Sequence, residues 1–292
     1  MFKGSMAALI TPMHEDGSID HEALRDLVEW HIANKTEAII ATGTTGESVT
    51  LDPEELFEVN ALVAKQAAGR VPVIAGTGSN STRNAIKYSN EAKRAGVDAL
   101  LIVTPYYNKP TQNGLYEHYK SIADEVGMPI ILYNVPGRTA CDILPETVER
   151  LSKIKHIIGI KEATGKLDRA QEIINRCGPN FDVYSGDDAT ALDLMLNGAK
   201  GVISVTANVA PRKMYDMCEA ALSGNHELAI RLNNELMPLH QQLFLESNPI
   251  PTKWALETMG KIRAGIRLPL LPLDSKYHQE VKKAMQTAGV IP

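Results

Sequence analysis

Four groups of residues in this 292-residue chain combine types and spacings that could do chemistry. Lys161 closes the apolar run Ile157-Ile158-Gly159-Ile160 and is followed by Glu162. Lysine is rarely buried without a reason. Desolvation disfavours the ammonium and can lower a buried lysine pKa by up to ~3–5 units, leaving the neutral amine that attacks a ketone to form an imine. The same residue has a structural reading, a strand-end cation paired to a carboxylate such as Glu162, and the run alone leaves both open. Tyr133 ends the preceding apolar run, Ile131-Leu132-Tyr133 before Asn134. Ends of adjacent parallel strands lie ~4.8 Å apart and can share one pocket. A phenol there could pass protons during imine formation, addition and release, or could simply be an aromatic of the rim.

The third group is the turn Gly43-Thr44-Thr45-Gly46-Glu47. Its glycines let backbone N–H groups and threonine hydroxyls converge on a small anion, more fitting for a carboxylate than for a polyphosphate. The fourth is Thr104-Pro105-Tyr106-Tyr107-Asn108 together with Arg138 in Pro136-Gly137-Arg138-Thr139. Arg138 could clamp a substrate carboxylate with its planar fork. The paired tyrosines suit an interface patch as well as a catalytic part.

Other chemistries lack their residues. None of the eight histidines stands in an H-x-x-x-H pair, and no P-loop, G-x-S-x-G elbow or G-x-G-x-x-G fingerprint occurs. The Gly76-Thr77-Gly78 stretch has no third glycine in place. We therefore expect no metal and no cofactor. The three cysteines, Cys141, Cys177 and Cys218, are widely spread and read as packing residues of a reducing compartment.

These groups must be positioned by a scaffold, and the chain alternates short apolar runs with longer amphipathic stretches, as βα units do. The runs fall at 5–12, 38–42, 71–75, 99–104, 129–133, 157–161, 182–185 and 201–205. They read as unbroken apolar blocks, which fits parallel strands buried on both faces. Helix starts are marked by Asp20, by Asp52 before Pro53, and by Ser79 or Ser81. Eight such units predict a (β/α)8 TIM barrel over residues 1–207, in preference to an open doubly wound sheet. Beyond it, 208–292 reads as a C-terminal helical domain, with helices at 212–222, 226–244, 251–259 and up to 288 around a proline-rich turn at 268–272. In such barrels reacting groups sit at the C-terminal ends of strands, where all four groups fall.

Charge and hydropathy narrow the partners. Lys and Arg number 30 against 35 Asp and Glu, a net charge of −5, which argues against a nucleic-acid binder. No segment reaches the ~18 apolar residues of a membrane span, and the N-terminal apolar stretch ends at Pro12, too soon for a signal-peptide core. A soluble, cytoplasmic protein is expected.

Taken together, Gly43-Thr44-Thr45-Gly46-Glu47, Tyr133-Asn134-Val135-Pro136-Gly137-Arg138-Thr139 and Gly159-Ile160-Lys161-Glu162-Ala163-Thr164 resemble the signatures of the pyruvate-dependent class I aldolases. Within that superfamily the chain is most similar to the dihydrodipicolinate synthase family, from Gly4-Ser5 through Ser185-Gly186-Asp187-Asp188 to Asn248-Pro249-Ile250-Pro251-Thr252-Lys253. The resemblance implies a Schiff-base condensation of pyruvate with L-aspartate 4-semialdehyde towards lysine and diaminopimelate. It implies that Lys161 carries the imine, and that Tyr133, Thr44 and a Tyr107 lent by a neighbouring subunit relay protons. It further implies that Thr45 holds the pyruvate carboxylate, that Gly186 and Ile203 line the pocket, and that Arg138 receives the semialdehyde carboxylate. A homotetramer, a dimer of tight dimers, is implied as well.

Ser48, Asn80 and Tyr106 match an allosteric lysine cleft, but Leu56 and Asn84 stand where lysine-sensitive members carry a His and a Glu, so weak feedback inhibition is expected. The rivals are an N-acetylneuraminate or 2-keto-3-deoxy sugar acid aldolase, which typically lacks an arginine in the 136–139 loop, and a keto-acid-binding barrel without turnover.

Overall fold

A strand forms at every apolar run. The computed structural model describes residues 2–292. The first half of the barrel is β1 (Gly4–Ala8), α1 (His21–Ala33), β2 (Ala38–Ala41), α2 (Pro53–Ala67), β3 (Val73–Gly76), α3 (Thr82–Ala95), β4 (Ala99–Val103) and α4 (Gln112–Val126). The second half runs β5 (Ile130–Asn134), the short α5 (Pro136–Thr139), α6 (Pro145–Leu151), β6 (Ile157–Glu162), α7 (Leu167–Cys177), β7 (Asp182–Ser185), α8 (Ala191–Leu196), β8 (Gly201–Ser204) and α9 (Pro211–Leu222). The C-terminal helices are α10 (His226–Gln242), α11 (Ile250–Thr258) and α12 (His278–Thr287).

Local chemistry explains the helix starts. The Asp20 carboxylate accepts from Ala23 N at 3.0 Å. Asp52 and Glu55 form a reciprocal capping box around Pro53, and Ser81, rather than Ser79, caps α3 by accepting from Asn84 N.

The eight strands pair in parallel and in sequence order, and β1 closes on β8 through Gly4↔Gly201 to Ala7↔Ser204. This is the (β/α)8 barrel expected from the runs. Alternate residues separate into two cores. Met6, Ile40, Ile74, Leu101, Ile131, Tyr133, Tyr184 and Ile203 fill the barrel interior, while Ala7, Ile39, Leu100, Leu132, Ile160 and Val202 pack outwards on the helices. Asn208 fastens the closing seam. Its amide donates to Ala8 O at 2.7 Å and Val205 O at 3.0 Å, and its carbonyl accepts from Ile10 N at 3.1 Å.

Helix α9 packs on β1 and between α8 and α10, in the place of the barrel's eighth helix. Of the three helices after it, α10 packs on α9 and α12, and α11 with the residue Asn248 before it meets the turn that follows β2. Among the described residues no helix is long and apolar enough to cross a membrane.

Candidate active site

A register shift decides which way Lys161 points. Along β5 and β6 the partners are Ile130↔Ile157, then Ile131↔Gly159, so Ile158 is an extra residue. Ile157 faces the helices, and strict alternation would send Lys161, four residues on, the same way. The bulge at Ile158 reverses the parity, as one inserted residue must, and turns Lys161 inwards and Glu162 outwards.

Lys161 is 5% exposed and pairs in register with Tyr133 on one side and Tyr184 on the other. Its Nζ lies 4.4 Å from the centre of the Tyr133 ring. Gly186 supplies the room: a Cβ there would stand 2.9 Å from Lys161 Cε and 2.6 Å from the Ala163 methyl.

Glu162 is not the partner of Lys161. Its carboxylate is buried on the far side of β6, where Arg169 Nε donates to Oε2 at 3.0 Å and Asn134 Nδ2 at 3.1 Å, while Thr164 N donates to Oε1 at 2.9 Å. Asp142 completes this network through Arg169 at 2.9 Å and Asn134 at 2.9 Å. Among the described residues Lys161 forms no ion pair, and that removes the alternative in which Lys161 is a salt-bridged strand end.

A cavity of about 290 Å³ opens at the C-terminal end of the strands, lined by Thr44, Tyr133 and Arg138 and, on its outer wall, by Ser48 and Tyr106. Leu101 and Val103 form its apolar floor. Thr45 is buried at the base of the same turn and accepts from Asn248 Nδ2 at 2.9 Å. Arg138 lies in the short α5, is exposed, and donates to Asn248 O at 3.3 Å. Ile203 belongs to the interior core below.

The cavity thus brings together Thr44, Tyr133 and Arg138, and Lys161 joins them through the Tyr133 ring with Gly186 against its stem, while Thr45 and Ile203 lie beside the cavity rather than on its wall. It does not bring in Tyr107, whose side chain is 90% exposed on a left-handed residue with φ +74°. Of the cleft residues, Asn80 stands apart from the cavity wall and accepts through its backbone carbonyl from Asn108 Nδ2 at 2.8 Å. Leu56 is half-buried on α2 and Asn84 exposed on α3.

Sequence reasoning did not find Asn134, Asp142 and Arg169, which orient the back of the lysine strand. It also did not find the buried ion pair between Lys253 of α11 and Glu47 of the Gly43–Glu47 turn. A buried acid one residue after Lys161 was the only local signal. Burial pushes the Lys253 ammonium below the ordinary lysine range, and the Glu47 carboxylate opposes that shift.

A barrel whose mouth holds an inward lysine against a tyrosine, beside a hydroxyl-rich turn and an arginine, defines a class: an imine-forming aldolase barrel acting on small keto acids. The model of the dihydrodipicolinate synthetase family matches residues 1–288, and the chain belongs to that family. It is 60% identical over 291 residues to the 4-hydroxy-tetrahydrodipicolinate synthase of Ectopseudomonas mendocina, with 100% of both chains covered. The enzyme of the same name from Pseudomonas aeruginosa is 59% identical, again over 100% of both chains. Among solved structures, the chloride-inhibited dihydrodipicolinate synthase of Acinetobacter baumannii complexed with pyruvate superposes with a TM-score of 0.98, 52% identity and 100% coverage of both. A monomeric dihydrodipicolinate synthase variant superposes with a TM-score of 0.97 at 39% identity, over 99% of this chain and 98% of its own.

Proposed function

We propose that Lys161 is the imine-forming residue of this chain, with Tyr133 and Thr44 as proton carriers, Thr45 and Arg138 as the two carboxylate receptors, and Gly186 and Ile203 shaping the pocket. The activity is that of its family: a lyase that condenses pyruvate with L-aspartate 4-semialdehyde to 4-hydroxy-tetrahydrodipicolinate, in lysine and diaminopimelate biosynthesis. One observation carries the residue assignment. The Lys161 amine sits against the Tyr133 ring, and among the described residues it pairs with no carboxylate.

In the assigned roles, the lysine amine adds to C2 of pyruvate, and water leaves with a proton delivered from the Tyr133 phenol. The resulting iminium withdraws electrons from the methyl group, so one of its protons is lost and an enamine forms. The enamine carbon then adds to the aldehyde carbon, the new alkoxide takes a proton, and the semialdehyde's own amine attacks the iminium carbon, closing the ring and displacing the Lys161 amine. The iminium is the electron sink for the whole sequence. The protein supplies position, a proton relay and two anion receptors.

Reduction with borohydride in the presence of pyruvate tests this. Lys161 is expected to gain the pyruvate skeleton irreversibly, and Lys161→Ala to lose all labelling; a label mapped to another lysine overturns the assignment. Arg138→Ala should impair use of the semialdehyde at least about ten-fold more than it slows labelling. Equal losses would make Arg138 structural.

We further read the protein as a homotetramer of tight dimers in which Tyr107 reaches a neighbouring subunit's site. Its near-complete exposure on a strained turn supports this, and a fully active monomer in sedimentation velocity would reject it. Feedback by lysine through Ser48, Asn80 and Tyr106 should be weak, since neither Leu56 nor Asn84 offers a charge to an α-amino group. Inhibition by lysine in the low-to-middle micromolar range would refute it. We read residues 1–207 as the catalytic barrel and 208–292 as its C-terminal helical domain, whose first helix, α9, stands in the place of the barrel's eighth helix.

A further inference from the structure

The turn that receives the keto acid's carboxylate is gripped from outside the barrel by one segment of the C-terminal extension. At its middle, the Thr45 hydroxyl accepts from Asn248 Nδ2 at 2.9 Å. At its end, Glu47 lies in the left-handed region at φ +56°, a conformation that costs a non-glycine residue about 1 kcal/mol or more unless its surroundings impose it. Its carboxylate is ion-paired with Lys253, and Arg267 N donates to Oε2 at 3.3 Å. Lys253 is itself fixed by donating to Gly265 O at 2.8 Å.

Both members of the pair are buried, at 5% and 3% exposure. A buried ion pair is weak as a source of stability, because two desolvated charges seldom outperform apolar side chains of the same volume. What such a pair supplies is geometry and sign. It sets the end of the turn two residues from Thr45, and it cancels a negative charge beside a pocket built for an anion.

We propose that Lys253 and Glu47 are positioning residues that set pyruvate binding, holding the Thr44-Thr45 turn in the conformation that receives the keto acid's carboxylate. This rests on the assignment of Thr45 to that carboxylate. Arg267 holds the segment that follows the turn, donating from its guanidinium to Thr50 O at 2.7 Å and to both Glu55 oxygens of α2 at 2.6 Å.

Steady-state kinetics and borohydride trapping of wild type, Lys253→Met, Lys253→Arg and the double variant Glu47→Gln with Lys253→Met test it. Lys253→Met should raise KM for pyruvate about ten-fold or more and slow trapping at low pyruvate, with KM for the semialdehyde within about two-fold of wild type. Lys253→Arg, which keeps the charge, should recover most of the loss. If Lys253→Met does not fold because it strands the Glu47 charge, the double variant carries the test: it should fold and still show the raised pyruvate KM. An unchanged pyruvate KM in Lys253→Met or in the double variant overturns the proposal, as does a rise shared equally by both substrates. Wild type that is not trapped on Lys161 overturns the underlying assignment instead, whatever the variants do.

Discussion

The position of one ε-amino group depends on a single backbone irregularity and a single missing methyl group. A Cβ at Gly186 would stand closer to Lys161 Cε and to the Ala163 methyl than real Cβ atoms come, and tightly against Lys161 Cγ. Overpacking of this kind typically costs about 1–3 kcal/mol, and here the flexible lysine stem is the neighbour most able to yield. Gly186→Ala is expected to displace the amine from Tyr133 and slow borohydride trapping by about ten-fold or more, with a loss of stability of about 1–3 kcal/mol by urea unfolding. Trapping at the wild-type rate would show that the glycine is not what makes room. At this scale the sequence was readable for residue type and strand end, which is how Lys161 and Tyr133 were found. It was silent on the side to which Lys161 turns, because the bulge at Ile158 is a property of two strands in register and leaves no mark on either alone. Arg169 and Asp142 were hidden for the same reason: their importance arises from a carboxylate on another element.

At the scale of elements, the apolar runs announced all eight strands, and aspartate, serine and proline marked the helix starts. The ends were less legible. The first run continues to Pro12, yet β1 stops at Ala8, because the ladder ends where Ile10 N donates to the Asn208 side chain instead of a strand carbonyl. Leu9 and Ile10 stay buried without being strand. Asn208 thereby does the work of several ladder bonds across the seam between the first and last strands. Asn208→Ala would strand Ile10 N and Ala8 O in the interior, at about 1–3 kcal/mol for each group left unmet, while Val205 O keeps the backbone N–H of residue 208 at 3.0 Å. A total loss of about 2 kcal/mol or more is expected from chemical denaturation. A loss below about 1 kcal/mol would mean that the seam is held chiefly by packing.

For the molecule as a whole, buried histidines tie stability to pH. His118, against the Thr82 hydroxyl, is pushed down to about 4 by burial. His31, against the Thr36 hydroxyl, is pushed down to about 3 by burial and then by the charge of Lys261. Each takes up a proton more readily when unfolded, near pH 6.5, so neither affects stability above that pH. As the pH falls below 6.5 the unfolded chain is favoured progressively, until the folded-state values are reached. At pH 5 the His118 contribution amounts to roughly 2 kcal/mol of lost stability. His118→Asn, which can still meet the Thr82 hydroxyl, should reduce the difference in unfolding free energy between pH 7 and pH 5 by about that amount. An unchanged difference would place the acid sensitivity elsewhere.

The helical tail was legible as helices, but its task was not, since contacts such as Asn248 to Thr45 join residues 203 positions apart. That span has a consequence during synthesis. A ribosome finishes β8 well before it reaches Lys253, so a nascent chain can assemble its barrel while the Thr44-Thr45 turn still lacks its support. With that turn in its proposed role, competence to capture pyruvate should arrive late, with the emergence of the final helices rather than with closure of the sheet.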